Sequence, residues 1–210
     1  MAAARQVQPM PTPVRGLRAH STSDIRLETL QELVGELESG GVHVEVETSQ
    51  RFYRSALPPS WIAFLGTPEW WVSLVAGDVI LTATKHAAKG AWKNRGRVVS
   101  AVGALAKGLA SLRIRIEPRT AVQVGLPIPN EHDGTQLRLD GADEGDIELQ
   151  LLLFLYHLPK LLELIKSERL DSGAAAGPVW LTLKNRGDLD VAWQDAETFE
   201  ARAKTLHLRP

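Results

Sequence analysis

The chain has 210 residues, 44% of them hydrophobic and 23% charged, with a net charge of −1; this is the ordinary composition of a soluble globular domain with a sizeable core. There is no cysteine, which excludes disulfides, thiolate metal sites and a cysteine nucleophile and fits a reducing, cytoplasmic compartment. The near-zero net charge gives no whole-molecule attraction to nucleic acid and argues against such a partner.

Residues 1–23, MAAARQVQPMPTPVRGLRAHSTS, contain three prolines, three arginines and no acid, and read as an unstructured tail. They lack the apolar core of a secretory signal, and the prolines spoil the amphipathic helix that a transit peptide uses. Ser23 is placed to cap a helix over 24–38 with Leu27, Leu30, Val34 and Leu37 on its apolar side, and Gly40-Gly41 stops it. Residues 42–48, VHVEVET, alternate strictly and predict a strand with one wet face. After Pro58-Pro59, residues 60–65 read as one helical turn.

That turn leads into the most apolar stretch of the chain, 67–96, which reads as a long central helix. Thr67 is a good N-cap, Pro68 suits the first helical position, and Gly96 can close the far end. Its first half is apolar nearly all round, as in a helix buried in a core or a membrane. A spanning helix needs about 20 apolar residues. Here the run covers only 70–84 and holds Asp78 at its middle, so a core helix is predicted. Trp70 and Trp71 point about 100° apart, so two surfaces are needed to cover them. Asp78, Thr82, Lys85, Lys89 and Lys93 form a polar stripe on the same helix.

Residues 98–109 are helical in pattern but carry two glycines, and 112–116, LRIRI, alternate as a strand. A second strand over 121–125 and a third over 135–139 flank the loop LPIPNEHDG. Asp143 then caps a second long helix with the apolar stripe Ile147, Leu151, Phe154, Leu155, Leu158, Leu162 and Ile165. Pro159 should kink or split it. Strands at 178–183 and 189–193 form a hairpin about 185–188, and 195–204 reads as a closing helix. The order predicts one α+β domain over 24–210, a mostly antiparallel sheet of about six strands with two long helices packed on one face.

The blocks AVQVGLPIPNEHDGTQLRLDGADEGDIELQLLLFLYHLPKLLELI and EWWVSLVAGDVILTATKHAAKGAWKNR resemble a group of uncharacterised small bacterial α+β proteins, over about residues 42–195. That group has no assigned activity. The resemblance implies a bacterial cytosolic setting and no site residue.

Candidate chemistry is sparse. His132 and Asp133, in the loop 126–134, are a histidine and a carboxylate able to bind metal or move protons. Three adjacent side chains do not easily converge on one point, and plain turn composition is the simpler reading. His157 lies beside Pro159 on the second long helix, where a locally bonded helix-flank histidine is the simpler reading. Arg186-Gly187-Asp188 is turn chemistry before it is an adhesion tripeptide. No glycine-rich phosphate loop or nucleophile elbow occurs, and no cofactor or metal is implied.

Charge is the most informative polar feature: residues 85–119 carry net +8 and residues 131–171 net −6. Lys85, Lys89, Lys93, Arg95 and Arg97 could meet a partner, or the two halves could neutralise each other. Three functions are expected in this order. The first is a non-enzymatic interaction or accessory module that binds a protein partner or a second copy. The second is a membrane-surface protein using the Trp-rich helix and basic flank on anionic lipid. The third is an enzyme with its site at 126–134.

Overall fold

A computed structural model describes residues 17–21, 26–39, 42, 44–48, 61–76, 95–116, 120–128 and 134–208. In chain order these form β1 (Leu17–Ser21), α1 (Leu27–Ser39), β2 (Val44–Thr48), β3 (Trp61–Gly66), α2 (Pro68–Ala76), α3 (Arg95–Arg115), β4 (Ala121–Gly125), β5 (Thr135–Arg138), α4 (Glu144–Ser167), a single 3₁₀ turn (Leu170–Ser172), β6 (Val179–Leu183), β7 (Leu189–Gln194) and β8 (Ala201–Leu206). The fold is α+β. The strands form one sheet in the order β2-β1-β3-β4-β5-β6-β7-β8.

The expected sheet of about six mostly antiparallel strands is corrected to an eight-stranded mixed sheet. β1–β2, β3–β4 and β5–β6 pair in parallel, and the other four pairings are antiparallel. Parallel neighbours need a crossover connection. α1 lies between β1 and β2, α2 and α3 between β3 and β4, and α4 between β5 and β6. β6, β7 and β8 close the sheet as a simple antiparallel meander.

Four local expectations change. Residues 17–21 of the expected tail are a strand paired on both sides, by β2 and β3. Residues 61–66 form a strand rather than a helical turn. The alternating LRIRI closes helix α3, where Leu112 is buried and Ile114 exposed. The expected closing helix at 195–204 is a turn held by Asp195 followed by strand β8. Among the described residues the two longest helices are α3 and α4, and Gly96 lies in the first turn of α3 rather than ending a helix. The expected central helix is seen as α2 over 68–76, and residues 77–94, with Asp78, lie outside the described residues. α4 runs unbroken through Pro159.

The caps behave as their residue types require. Thr67 Oγ1 accepts from the Trp70 N–H at 3.2 Å, and Asp143 Oδ1 accepts from the Asp146 N–H at 2.9 Å. All four helices contribute to one apolar cluster with one face of the sheet: Leu33, Trp71, Leu105 and Phe154 meet Phe64, Val124, Leu137 and Leu181.

Trp71 is the pivot of that cluster. It is fully buried, its Nε1–H donates to the Gly125 carbonyl at 2.8 Å, and its ring meets Phe154 of α4 edge-on at 5.0 Å. Trp70 is half-buried and packs edge-on against Trp71 at 4.8 Å. Gly66 makes this possible: a Cβ there would lie 2.6 Å from the Trp70 ring and 2.9 Å from Trp71 Nε1. Trp71→Ala should therefore cost about 3–5 kcal/mol, and Trp70→Ala distinctly less, as measured by denaturant unfolding of each variant.

Candidate functional site

Several residues singled out from sequence fall outside the described residues: Lys85, Lys89, Lys93, His132 and Asp133. Arg95 and Arg97 sit in the first turn of α3, with side chains outside the described set. The loop 126–134 is defined at its base, where Leu126 and Thr135 bond each other twice: Thr135 N–H to the Leu126 carbonyl, and Leu126 N–H to Thr135 Oγ1, both at 2.8 Å.

The described end of the basic run serves the fold. Arg113 reaches across to the Leu139 carbonyl at 3.1 Å and to the Gly141 carbonyl. Arg115 pairs with Glu32 and Glu36 of α1. The partners of these two arginines are carbonyls and α1 carboxylates, rather than carboxylates of the acidic half. A groove of about 550 Å³ runs between the end of α3 and the start of α4, and its rim carries Lys107 and Arg113 beside Asp143 and Glu144. With both signs present it has no preference for an anion.

His157 is fully buried, and its Nε2–H donates to the Gly187 carbonyl at 2.7 Å in the β6–β7 hairpin. The bond is remote in sequence rather than local to Pro159. Gly187 holds φ +81, a left-handed conformation that suits glycine in this turn. His157 Nδ1 is buried with no hydrogen-bond partner among the described residues. Next to this bond the segment 207–208 is fastened down. Asp188 accepts from the Leu208 N–H at 2.8 Å and faces His207 Nδ1 at 3.2 Å. Lys160 and Tyr156 of α4 donate to the carbonyls of His207 and Leu208. The arrangement ties the hairpin, the helix and residues 207–208 together. Among the described residues no group of three His, Asp or Glu side chains could hold a metal ion.

The face of the sheet away from the helices is the stronger candidate. Residues paired across strands share a face, so two rows can be followed through the register. One runs His20, Ala63, Gln123, Arg138. The other runs Gln136, Trp180, Ala192, Ala203. The first is buried at His20, Ala63 and Gln123, and Gln123 Oε1 has no hydrogen-bond partner among the described residues. Toward β6–β8 the face opens. Trp180 is 48% exposed there, between buried Gln136 and the small side chains of Ala192 and Ala203. Charges around it are already paired: Lys184 with Asp190 and Arg138 with Asp140, both at 2.8 Å. Sequence reading passed over Trp180, although the signal was present: in VWLTL the tryptophan occupies the outward phase shared with Thr182.

Comparison of the chain with models of known protein families and with curated protein sequences finds no match.

Three carboxylates of the meander are held below the usual carboxylate range. Asp188 is held there chiefly by the Leu208 N–H and then by His207, Asp190 by Lys184 and Thr205, and Asp195 by the N–H groups of Thr198 and Glu197. A depressed folded value means the stabilisation is complete above the unfolded value of about 3.9 and is lost as pH falls through the folded one. The melting temperature should therefore drop below about pH 4, and Asp188→Asn should drop less steeply, as read by thermal melts across that range.

Proposed function

We propose that this chain is a non-enzymatic interaction module of a bacterial cytosolic system, and that it binds a protein partner on the open sheet face over β6–β8. The observation that carries the reading is Trp180, half-exposed between buried Gln136 of β5 on one side and, on the other, Ala192 of β7 with Ala203 of β8 beyond it. Protein interfaces concentrate their energy in a few central side chains, tryptophan foremost, inside a polar rim. Trp180 has that setting: an uncharged centre of Gln136, Ala192 and Ala203, edged by the Lys184–Asp190 and Arg138–Asp140 pairs. Paired charges give orientation and little affinity, so the binding energy falls to the ring.

The membrane-surface reading is less well supported. It asks the start of the Trp-rich helix to leave the core, yet Trp71 is fully buried and hydrogen-bonded to Gly125. No helix among the described residues is long and apolar enough to cross a membrane.

The test uses the full chain as bait beside Trp180→Ala. The variant should unfold within about 1 kcal/mol of the wild type, because the side chain is half in water. A partner retained by the wild type should bind it about 30-fold more weakly or worse, the loss expected of a central anchor. Equal binding of the same partner by both proteins would overturn the reading.

A further inference from the structure

Helix α4 is apolar on more sides than the core can use. Ile147, Leu151, Phe154, Leu158, Leu161 and Ile165 face inward and are buried. Leu152 points about 160° away from Phe154, and Leu149, Leu152 and Tyr156 lie within about 60° of one another on the outer side. These three are 56%, 37% and 55% exposed. A helix apolar all round is ordinarily covered all round.

We propose that this outer stripe is the interface of a homodimer, in which α4 packs against α4 of a second copy in antiparallel, two-fold fashion. The stripe is complementary to itself. A two-fold axis between Leu152 and Leu153 sets Leu149 of one copy against Tyr156 of the other, twice, and brings the two Leu152 side chains together beside the axis. Charge follows the same symmetry. Asp146 and Lys160 are fourteen positions apart in α4, and so about 40° apart around the helix, on one flank of the stripe. In an antiparallel pair a flank meets the same flank of the partner, so each Asp146 comes opposite the other copy's Pro159, one residue and about 1.5 Å along the axis from its Lys160. Both charges have capacity left. Asp146 uses one oxygen on the Ala142 N–H, and Lys160 uses one donor on the His207 carbonyl. Farther along the stripe Glu163 comes opposite Ala142, so no like charges are opposed there. The stripe lies on the helix side of the sheet, away from Trp180, and the dimer does not rest on the reading of that face.

The chain should sediment as a particle near twice its 23.0 kDa mass, and Leu152→Glu should return it to one copy at the same concentration with its circular dichroism and cooperative unfolding kept. Charge reversal tests the register. Asp146→Lys and Lys160→Glu each oppose like charges twice and should weaken the dimer about tenfold or more; an equal mixture of the two restores both pairs and should recover it. Because the chain has no cysteine, Leu152→Cys introduces a single thiol beside the axis, and mild oxidation should link two copies through it. That result stands even if a charge-reversed variant folds poorly. A wild type that stays a single copy at all concentrations, or a dimer that ignores Leu152→Glu and whose Leu152→Cys variant stays unlinked, overturns the proposal. Loss of Trp180-dependent binding with the dimer intact would implicate the sheet face alone.

Discussion

The buried indole of Trp71 stands where the sheet and two of the crossover helices meet. Its ring belongs to α2, its Nε1–H is taken by the last carbonyl of β4, and its edge lies on Phe154 of α4. A buried indole N–H without an acceptor would cost about 1–3 kcal/mol, so the ring can be this deep only if the Gly125 carbonyl is aimed at it. That carbonyl is positioned by the parallel pairing of β3 with β4, and the ring is admitted only because Gly66 ends β3 without a side chain. The three features are mutually dependent: a side chain at 66, a shifted register or a lost Phe154 would each displace the others.

Elements with a clear period and a clear cap were legible in the sequence. α4 showed its Asp143 cap and its stripe, and β4, β6 and β7 showed their strand patterns. The misread elements fail for identifiable reasons. β3, WIAFLG, is buried on both faces, so it has no alternation and reads as a short apolar run of either type. β1 carries His20 and Ser21 inside the sheet, a polar content that sequence reading assigns to solvent. β8, ARAKTL, is an exposed edge, and nothing in its hydrophobicity distinguishes it from a helical surface. With β1 and β3 unseen, each of the parallel pairs β1–β2 and β3–β4 loses a member, and a mixed sheet looks like an antiparallel one.

The polar chemistry was less legible than the fold. His157 was visible as a histidine near a proline, but its acceptor lies 30 residues away in a hairpin whose position depends on the whole sheet. Arg113 and Arg115 looked like part of one basic surface, and tertiary packing gives them carbonyls and the carboxylates of α1. Charge runs record what is available for pairing, and the fold decides which pairs form.

The sheet is also divided by how far apart in the chain its contacts lie. The meander β6–β8 closes over short turns, at 183–189 and 194–201. The Trp71–Gly125 bond joins residues 54 apart, and the β3–β4 pair beneath it encloses a comparably long segment. Closing such a loop spends chain entropy before any contact repays it, whereas a hairpin is rewarded at once. The C-terminal meander therefore carries the lower closure cost, and His157, Tyr156 and Lys160 of α4 fasten the helix to it. The junction of β3 with β4, beneath the tryptophan cluster, carries the higher one.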